Sequence, residues 1–520
     1  MATSLYKKVG LASLIMSASI LASRIIGLVR EMVIAHVGGA TGIVDAYQVS
    51  FVIPEILNHV VASGFLSITF IPIFANYLAQ GREDEGWRVF SIVMTHFGLL
   101  LLVLIGVAVI FADGLVTLLA PGLTEAPLKA AAVRMTRVII PAQFFFFTGG
   151  LFTAVQFAKE RFALPALAPL VYNLGIIIGG LALGPLIGME AFSWGVLVGA
   201  FVGNFALQFI GARRVGMPLY VNLDWRHPAL RTYIKLTLPL MLGLTMMFST
   251  EIFLKFFGSY LDRGGIAGLN YGLRIMLMLV AFFGQAVGVA SFPYLARLAA
   301  EKKITDMARL LDDTLRYLTL VIPLAVCVMV LRREVVAVLF QHGRFDAAAT
   351  EMTASLLVYL LLGAFAFAAQ TVVVRGFYAL QNTLFPAIFS TLGVIVSLPF
   401  FIAGTHYLGT QGVALAISIS ATLQVFLLYG LWNRRIANPH GWQLIRFIGK
   451  VTLITIPLGV LCECLRIDLS IFFSGSLIGS LTMIAVISVI FGAMFIAAAY
   501  AFKLEELRHV VGLLKSRIKR

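Results

Sequence analysis

A small set of charged and polar side chains interrupts long apolar stretches of this chain, and their types and spacing limit what it can do. Arg24 and Arg30 stand in the run Ser23-Arg24-Ile25-Ile26-Gly27-Leu28-Val29-Arg30-Glu31. Their separation is about 600° of helical rotation, so they share a tight face only if the helix bends. Gly27 between them, with Gly38 and Gly39 farther on, permits such a bend. Glu55 follows Pro54, and Asn58 and His59 come about one turn later. The proline loosens the local backbone hydrogen bonds, which favours polar side chains and water there. Glu251 and Lys255 are four apart, on one face and close enough to pair. Arg274 closes the run Asn270-Tyr271-Gly272-Leu273-Arg274, and Arg375 stands near the inner end of a later apolar run, where it can snorkel.

A charge at mid-bilayer costs at least about 2.5–3.5 kcal/mol on insertion scales, so it is kept where it faces a cavity or a partner. Arginine stays charged and binds phosphate bidentately, so Arg24, Arg30 and Arg274 around one chamber suit a phosphate or diphosphate. Asn58 and His59 join them as candidate substrate-binding residues, since an imidazole can carry charge near neutral pH. Glu31, Glu55, Glu251 and Lys255 are candidates for coupling or gating. Each has a plainer alternative: Glu251 with Lys255 as a neutralised structural pair, His59 as a hydrogen-bonded core residue.

Other chemistries find no support. The chain has no Gly-rich Lys-Ser/Thr phosphate loop, no G-x-S-x-G elbow and no His-Glu-x-x-His pair. Cys327, Cys462 and Cys464 make no metal or redox framework and read as packing residues. No catalytic residue, metal or cofactor is expected. The acidic run Arg82-Glu83-Asp84-Glu85 reads as a solvated turn.

The elements that must position these residues are membrane helices. The chain is 60% apolar and only 12% charged, about half the usual charge fraction of soluble domains. Its mean hydropathy is +0.98. Apolar runs of about 20 residues recur about fourteen times, centred near residues 18, 63, 102, 148, 175, 202, 246, 283, 325, 362, 394, 420, 455 and 485. The fold class is all-α and integral to the membrane, since lipid forces the backbone to satisfy itself within each segment and the alternating strands of a barrel are absent. Most of the 39 Lys and Arg fall on one side of these crossings, in clusters such as Arg213-Arg214, Lys302-Lys303, Arg434-Arg435 and residues 515–520. That bias sets both termini in the cytoplasm and points to anionic membrane lipids, not nucleic acid, as the partner of the +15 net charge. Lys7-Lys8 before an apolar run imitates a signal peptide, but the run continues through Arg24 into membrane sequence. Residues 3–10 resemble a read-through recombination linker.

The chain also repeats itself at an offset of about 220 residues. Pro72 answers to Pro293, Arg88 to Arg309, Asp113 to Glu334, Gly122 to Gly343, Phe157-Ala158 to Tyr378-Ala379 and Pro165 to Pro386. The shift spans six crossings, an even number, so the copies are parallel and the substrate path is expected between them. The expected domains are an N-terminal six-helix half, 1–215, a C-terminal six-helix half, 216–435, and two additional helices with a basic cytoplasmic tail, 436–520, arranged around a central cavity. Two mobile halves suit alternating access.

With these residues in view, the chain resembles the MurJ (MviN) lipid II flippase family of the multidrug/oligosaccharidyl-lipid/polysaccharide exporter superfamily. The resemblance lies in Ser23-Arg24-x-x-Gly27-x-x-Arg30-Glu31, Asp45-Ala46-Tyr47, Phe51-x-x-Pro54, Gly64-x-x-x-x-x-Phe70-x-Pro72, Arg274, Pro293, Gly376-Phe377-Tyr378-Ala379 and Pro386. It implies a fourteen-helix bundle with a V-shaped cavity that carries undecaprenyl-diphosphate-linked peptidoglycan precursor to the periplasmic leaflet of the bacterial cytoplasmic membrane. It implies alternating access driven by membrane potential or an ion gradient, contacts with cell-wall synthesis machinery, and a groove beside the last two helices for the lipid tail. Arg24, Arg30 and Arg274 match cavity arginines of the family, and Asp45 an acidic position near the first periplasmic turn, a further coupling or gating candidate. The chain departs from the pattern at Asn58-His59 and Ser63, where better-known members carry an arginine pair and an acid, and at Leu273 and Leu277, where they carry acids. These departures leave open a flippase for another polyprenyl-linked oligosaccharide. A drug/cation antiporter would want an acidic cavity, a glycosyltransferase a long extracytoplasmic loop, and a scaffold would not need the arginines.

Overall fold

A computed structural model of the chain describes residues 2–59, 69–244, 249–382, 384–436, 438, 441–473 and 476–502. Every regular element among them is a helix, as lipid demands of a backbone with no water to bond. Nine described helical stretches, with Leu384–Ile436 counted as one, are long and apolar enough to cross a bilayer. There are ten if the pair Ala347–Leu361 and Ala364–Ala379, bent by 43°, is one span. The 53-residue stretch Leu384–Ile436 is two helices joined at Gly409, whose φ of 57° and ψ of −130° are open to glycine alone. Its two arms lie side by side, for a Cβ on Gly404 would sit 2.7 Å from the Gly412 carbonyl oxygen. The crossings expected near 63 and 246 are centred outside the described residues, as are Ser63 and the basic cluster 515–520.

The chain forms two compact units, Met1–Ala267 and Gly268–Arg520. In the first, the helix Ala2–Gly38 runs unbroken through Gly27, so the bend that glycine permits is not taken. It packs along Ala163–Ile187, with Asn173 Oδ1 4.0 Å from where a Gly27 Cβ would be. Ala163–Ile187 in turn meets Glu190–Gly199 through a stripe of glycines. A Cβ on Gly175 would stand 2.5 Å from the Gly199 Cα, and one on Gly179 2.6 Å from the Gly195 Cα. Only backbone fits there, which is how membrane helices gain close van der Waals contact without a hydrophobic drive.

The acidic run at 82–85 is not the solvated turn its composition suggests. Glu83 accepts from Lys159 and from Trp87 Nε1, Glu85 Oε1 pairs with His227 Nε2 at 3.0 Å, and Arg88 pairs with Asp224 at 3.1 Å. Charges in the first turns of Glu83–Ile110 thus staple two connections of the first unit, the one at Lys159 and the one at Asp224 and His227. Such positions look like loop in a sequence because their partners are about 75 to 140 residues away.

In the second unit the last two helices, Gly441–Phe473 and Leu477–Ala501, pack on Val321–Val330 and Arg332–Phe340. Cys327 and Cys462 are buried in that apolar seam with Ile487 and Phe491. Cys464 is exposed, because two residues along a helix turn a side chain about 200° away. Charges close the seam. Arg332 holds Glu463 with two bonds of 2.9 and 3.1 Å, and Arg466 bridges Glu463 at 2.9 Å and Glu334 at 3.0 Å.

Candidate functional site

The first unit gathers most of the candidate residues. Arg30 is part-buried near the end of Ala2–Gly38, and its guanidinium is committed on two sides. Nη2 donates to Glu31 Oε1 at 2.5 Å and Nη1 to Asn173 Oδ1 at 3.0 Å. Asn173 is itself oriented, donating from Nδ2 to the Pro169 carbonyl at 2.8 Å and reaching Ser23 Oγ at 3.5 Å. Tyr47 and Tyr172 stand close enough to Arg30 to interact with it electrostatically. The planar fork of arginine is what allows one cation to serve a carboxylate and an amide at once. Arg24, two turns earlier on the same helix, is half-buried.

A second cluster lies in the same unit. Lys255, on Ser249–Gly258, is only 2% exposed. Its spacing suggests Glu251 as partner, but Nζ lies 3.9 Å from Glu251 and 2.9 Å from Glu55 Oε2 on Val52–Leu57. The intrahelical pair is therefore the weaker half of a three-residue cluster. A lysine stem reaches across a helix contact as easily as along its own surface.

Asp45 is buried and engages backbone. Its carboxylate accepts from the Gly264 amide at 2.5 Å and the Ala267 amide at 2.7 Å, at the start of Gly265–Val280. That places a negative charge where the helix dipole and its unsatisfied amides want one. Gly264 takes φ of +85°, and a Cβ there would meet the Ala40 carbonyl oxygen at 2.1 Å. Asn58 and His59 are half-buried just after Val52–Leu57, one helical turn beyond Glu55. Arg274 belongs to the second unit, half-buried on Gly265–Val280 between buried Leu273 and Ile275. Arg375 is half-buried on Ala364–Ala379, with Nη1 2.5 Å from where a Gly288 Cβ would be.

Tyr172 and Asn173 were not singled out in the sequence. The signal was present: Tyr172-Asn173 is the one adjacent polar pair in the apolar helix Ala163–Ile187. No group of three or more His, Cys, Asp or Glu side chains suited to a metal occurs among the described residues.

Buried cations held by carboxylates on membrane helices are the equipment of a transporter for charged solutes. A family model described as Lipid II flippase MurJ matches residues 34–487. The chain belongs to the MurJ family. The Lipid II flippase MurJ of Burkholderia cenocepacia is 29% identical over 441 residues, covering 83% of this chain and 85% of that protein. In fold the chain is similar to a MurJ structure in an inward closed conformation, with a TM-score of 0.76 at 21% identity, covering 94% of this chain and 99% of that one. It is also similar to an inward-facing multidrug resistance MATE family transporter of the MOP superfamily, with a TM-score of 0.62 at 16% identity over 80% and 94% of the two chains. The MurJ family match spans both compact units and reaches into the last helix, Leu477–Ala501.

Proposed function

We propose that this chain is a lipid II flippase of the bacterial cytoplasmic membrane, moving undecaprenyl-diphosphate-linked peptidoglycan precursor from the cytoplasmic to the periplasmic leaflet by alternating access. The observation that carries this is the MurJ family match across residues 34–487. Both termini lie in the cytoplasm, on the side of the basic loops. Arg24, Arg30 and Arg274 receive the diphosphate, and the polyprenyl tail stays in lipid. The work is transport driven by membrane potential or an ion gradient, with no cofactor, and the headgroup's charge crosses the low-dielectric interior only with cations beside it. Contacts with anionic lipids and with cell-wall synthesis machinery belong to the same proposal.

The test is rescue of cells depleted of their own flippase. The unsubstituted chain should restore growth and stop accumulation of the lipid-linked precursor. Arg24→Ala and Arg274→Ala should fail at normal membrane levels, and full rescue by both would overturn the assignment of the site. Asn58 and His59, standing where better-known members carry arginines, favour a second reading: a flippase for another polyprenyl-linked oligosaccharide. Rescue of a strain lacking that other flippase, without rescue of the lipid II-depleted strain, would decide for it.

A further inference from the structure

The cluster around Lys255 adds a cation to the substrate site. Residues 51–72 contain no lysine or arginine, yet Glu55 on Val52–Leu57 holds an ammonium delivered from another helix. The two partners differ in access. The Lys255 side chain is 3% exposed, whereas that of Glu55 is 31% exposed, so the carboxylate is the more accessible half of the pair. The Glu55–Lys255 and Glu31–Arg30 pairs both belong to the first unit. Among the described residues, two helices pack on Ser249–Gly258 most closely and bring acids toward it. Val52–Leu57 offers Glu55, and Ala112–Leu119 offers Asp113, which is engaged by Lys129.

The two cations are held differently. Arg30 is fixed by a carboxylate and an oriented amide. Lys255 has a four-carbon stem, rotatable donors and two carboxylates at unequal distance, 2.9 and 3.9 Å. Breaking a buried pair is costly unless another anion takes the place of the first. We propose that Lys255 is a substrate-binding cation, held by Glu55 and Glu251 in the empty site and transferred from Glu55 to a phosphate oxygen of an entering lipid diphosphate. Transfer frees Val52–Leu57 from Ser249–Gly258 only when an anion is present, which ties movement of the second and seventh crossings to occupancy. This rests on the flippase proposal and extends it to a residue that a search for buried arginines passes by.

The test titrates undecaprenyl diphosphate onto the detergent-solubilised full chain, read by native mass spectrometry. A charge-assisted phosphate contact predicts that Lys255→Met weakens binding roughly tenfold or more, while Lys255→Arg stays within about threefold. Glu55→Gln, which removes the competing carboxylate, should bind at least as tightly as the unsubstituted chain. The double variant Glu55→Gln/Lys255→Met removes the nearer carboxylate together with the ammonium, so it stays closer to charge balance than Lys255→Met; its elution on size exclusion checks that it folds, and it separates the roles. If Lys255 binds phosphate, the double variant is roughly tenfold weaker than Glu55→Gln alone. If Lys255 only neutralises Glu55, the two bind equally and the inference is overturned while the flippase proposal stands. Failure of the unsubstituted chain to bind the probe overturns the flippase proposal itself.

Discussion

Arg30 and Asp45 show how differently a charge can be used inside the same unit. Arg30 spends its fork on Glu31 and Asn173, so its orientation is set before any ligand arrives. Lysine carries the same charge but cannot hold two partners in one plane, so Arg30→Lys should keep membrane levels and lose rescue of a flippase-depleted strain. Asp45 holds two amides at the start of Gly265–Val280. Asp45→Ala should lower stability by about 1–2 kcal/mol, seen as a lower melting temperature in detergent, and Asp45→Asn should retain part of the loss. The sequence named both residues but not their partners. Asn173 is 143 positions from Arg30, and Gly264 is 219 from Asp45, so no local pattern links them. The Glu251–Lys255 pair shows the converse: spacing offered a local partner, and the fold supplied a nearer one in Glu55.

At the scale of elements, backbone contact outweighs side-chain chemistry. The helix that positions Asn173 is seated against Glu190–Gly199 by Gly175, Gly179, Gly195 and Gly199. Gly175→Val should separate the pair, at a cost of about 1–3 kcal/mol or more, and move the solubilised protein toward aggregate on size exclusion. Gly106→Val, where a Cβ meets nothing within 4 Å, should elute unchanged. The last two helices are joined to their unit by an apolar seam and by the Arg332, Glu463, Arg466 and Glu334 network. Arg466→Leu leaves two buried or half-buried carboxylates short of a cation and should destabilise by about 3 kcal/mol. The double change Arg466→Leu/Glu334→Leu should recover part of that loss, read as the same melting shift.

For the whole molecule, helices and their apolar length were legible because lipid imposes one rule on every segment. The asymmetry of basic residues predicts an orientation: tags at either terminus should be digested by protease only in inverted membrane vesicles. Family membership was also legible, in the arginine-bearing first helix and the proline and glycine landmarks that follow.

The sequence by itself thus determined an all-helical membrane protein of the MurJ family and marked the charges that lipid makes expensive. Hydropathy and charge cost act residue by residue, and so they can be read along the chain. Only the tertiary structure decided what each charge touches: Arg30 on Asn173, Asp45 on a helix start, Lys255 on Glu55, the 82–85 carboxylates on distant loops. Those pairings depend on which elements approach one another, as the glycine contacts of Ala163–Ile187 let it approach Glu190–Gly199. Such an approach is a property of two surfaces meeting, which no single segment encodes.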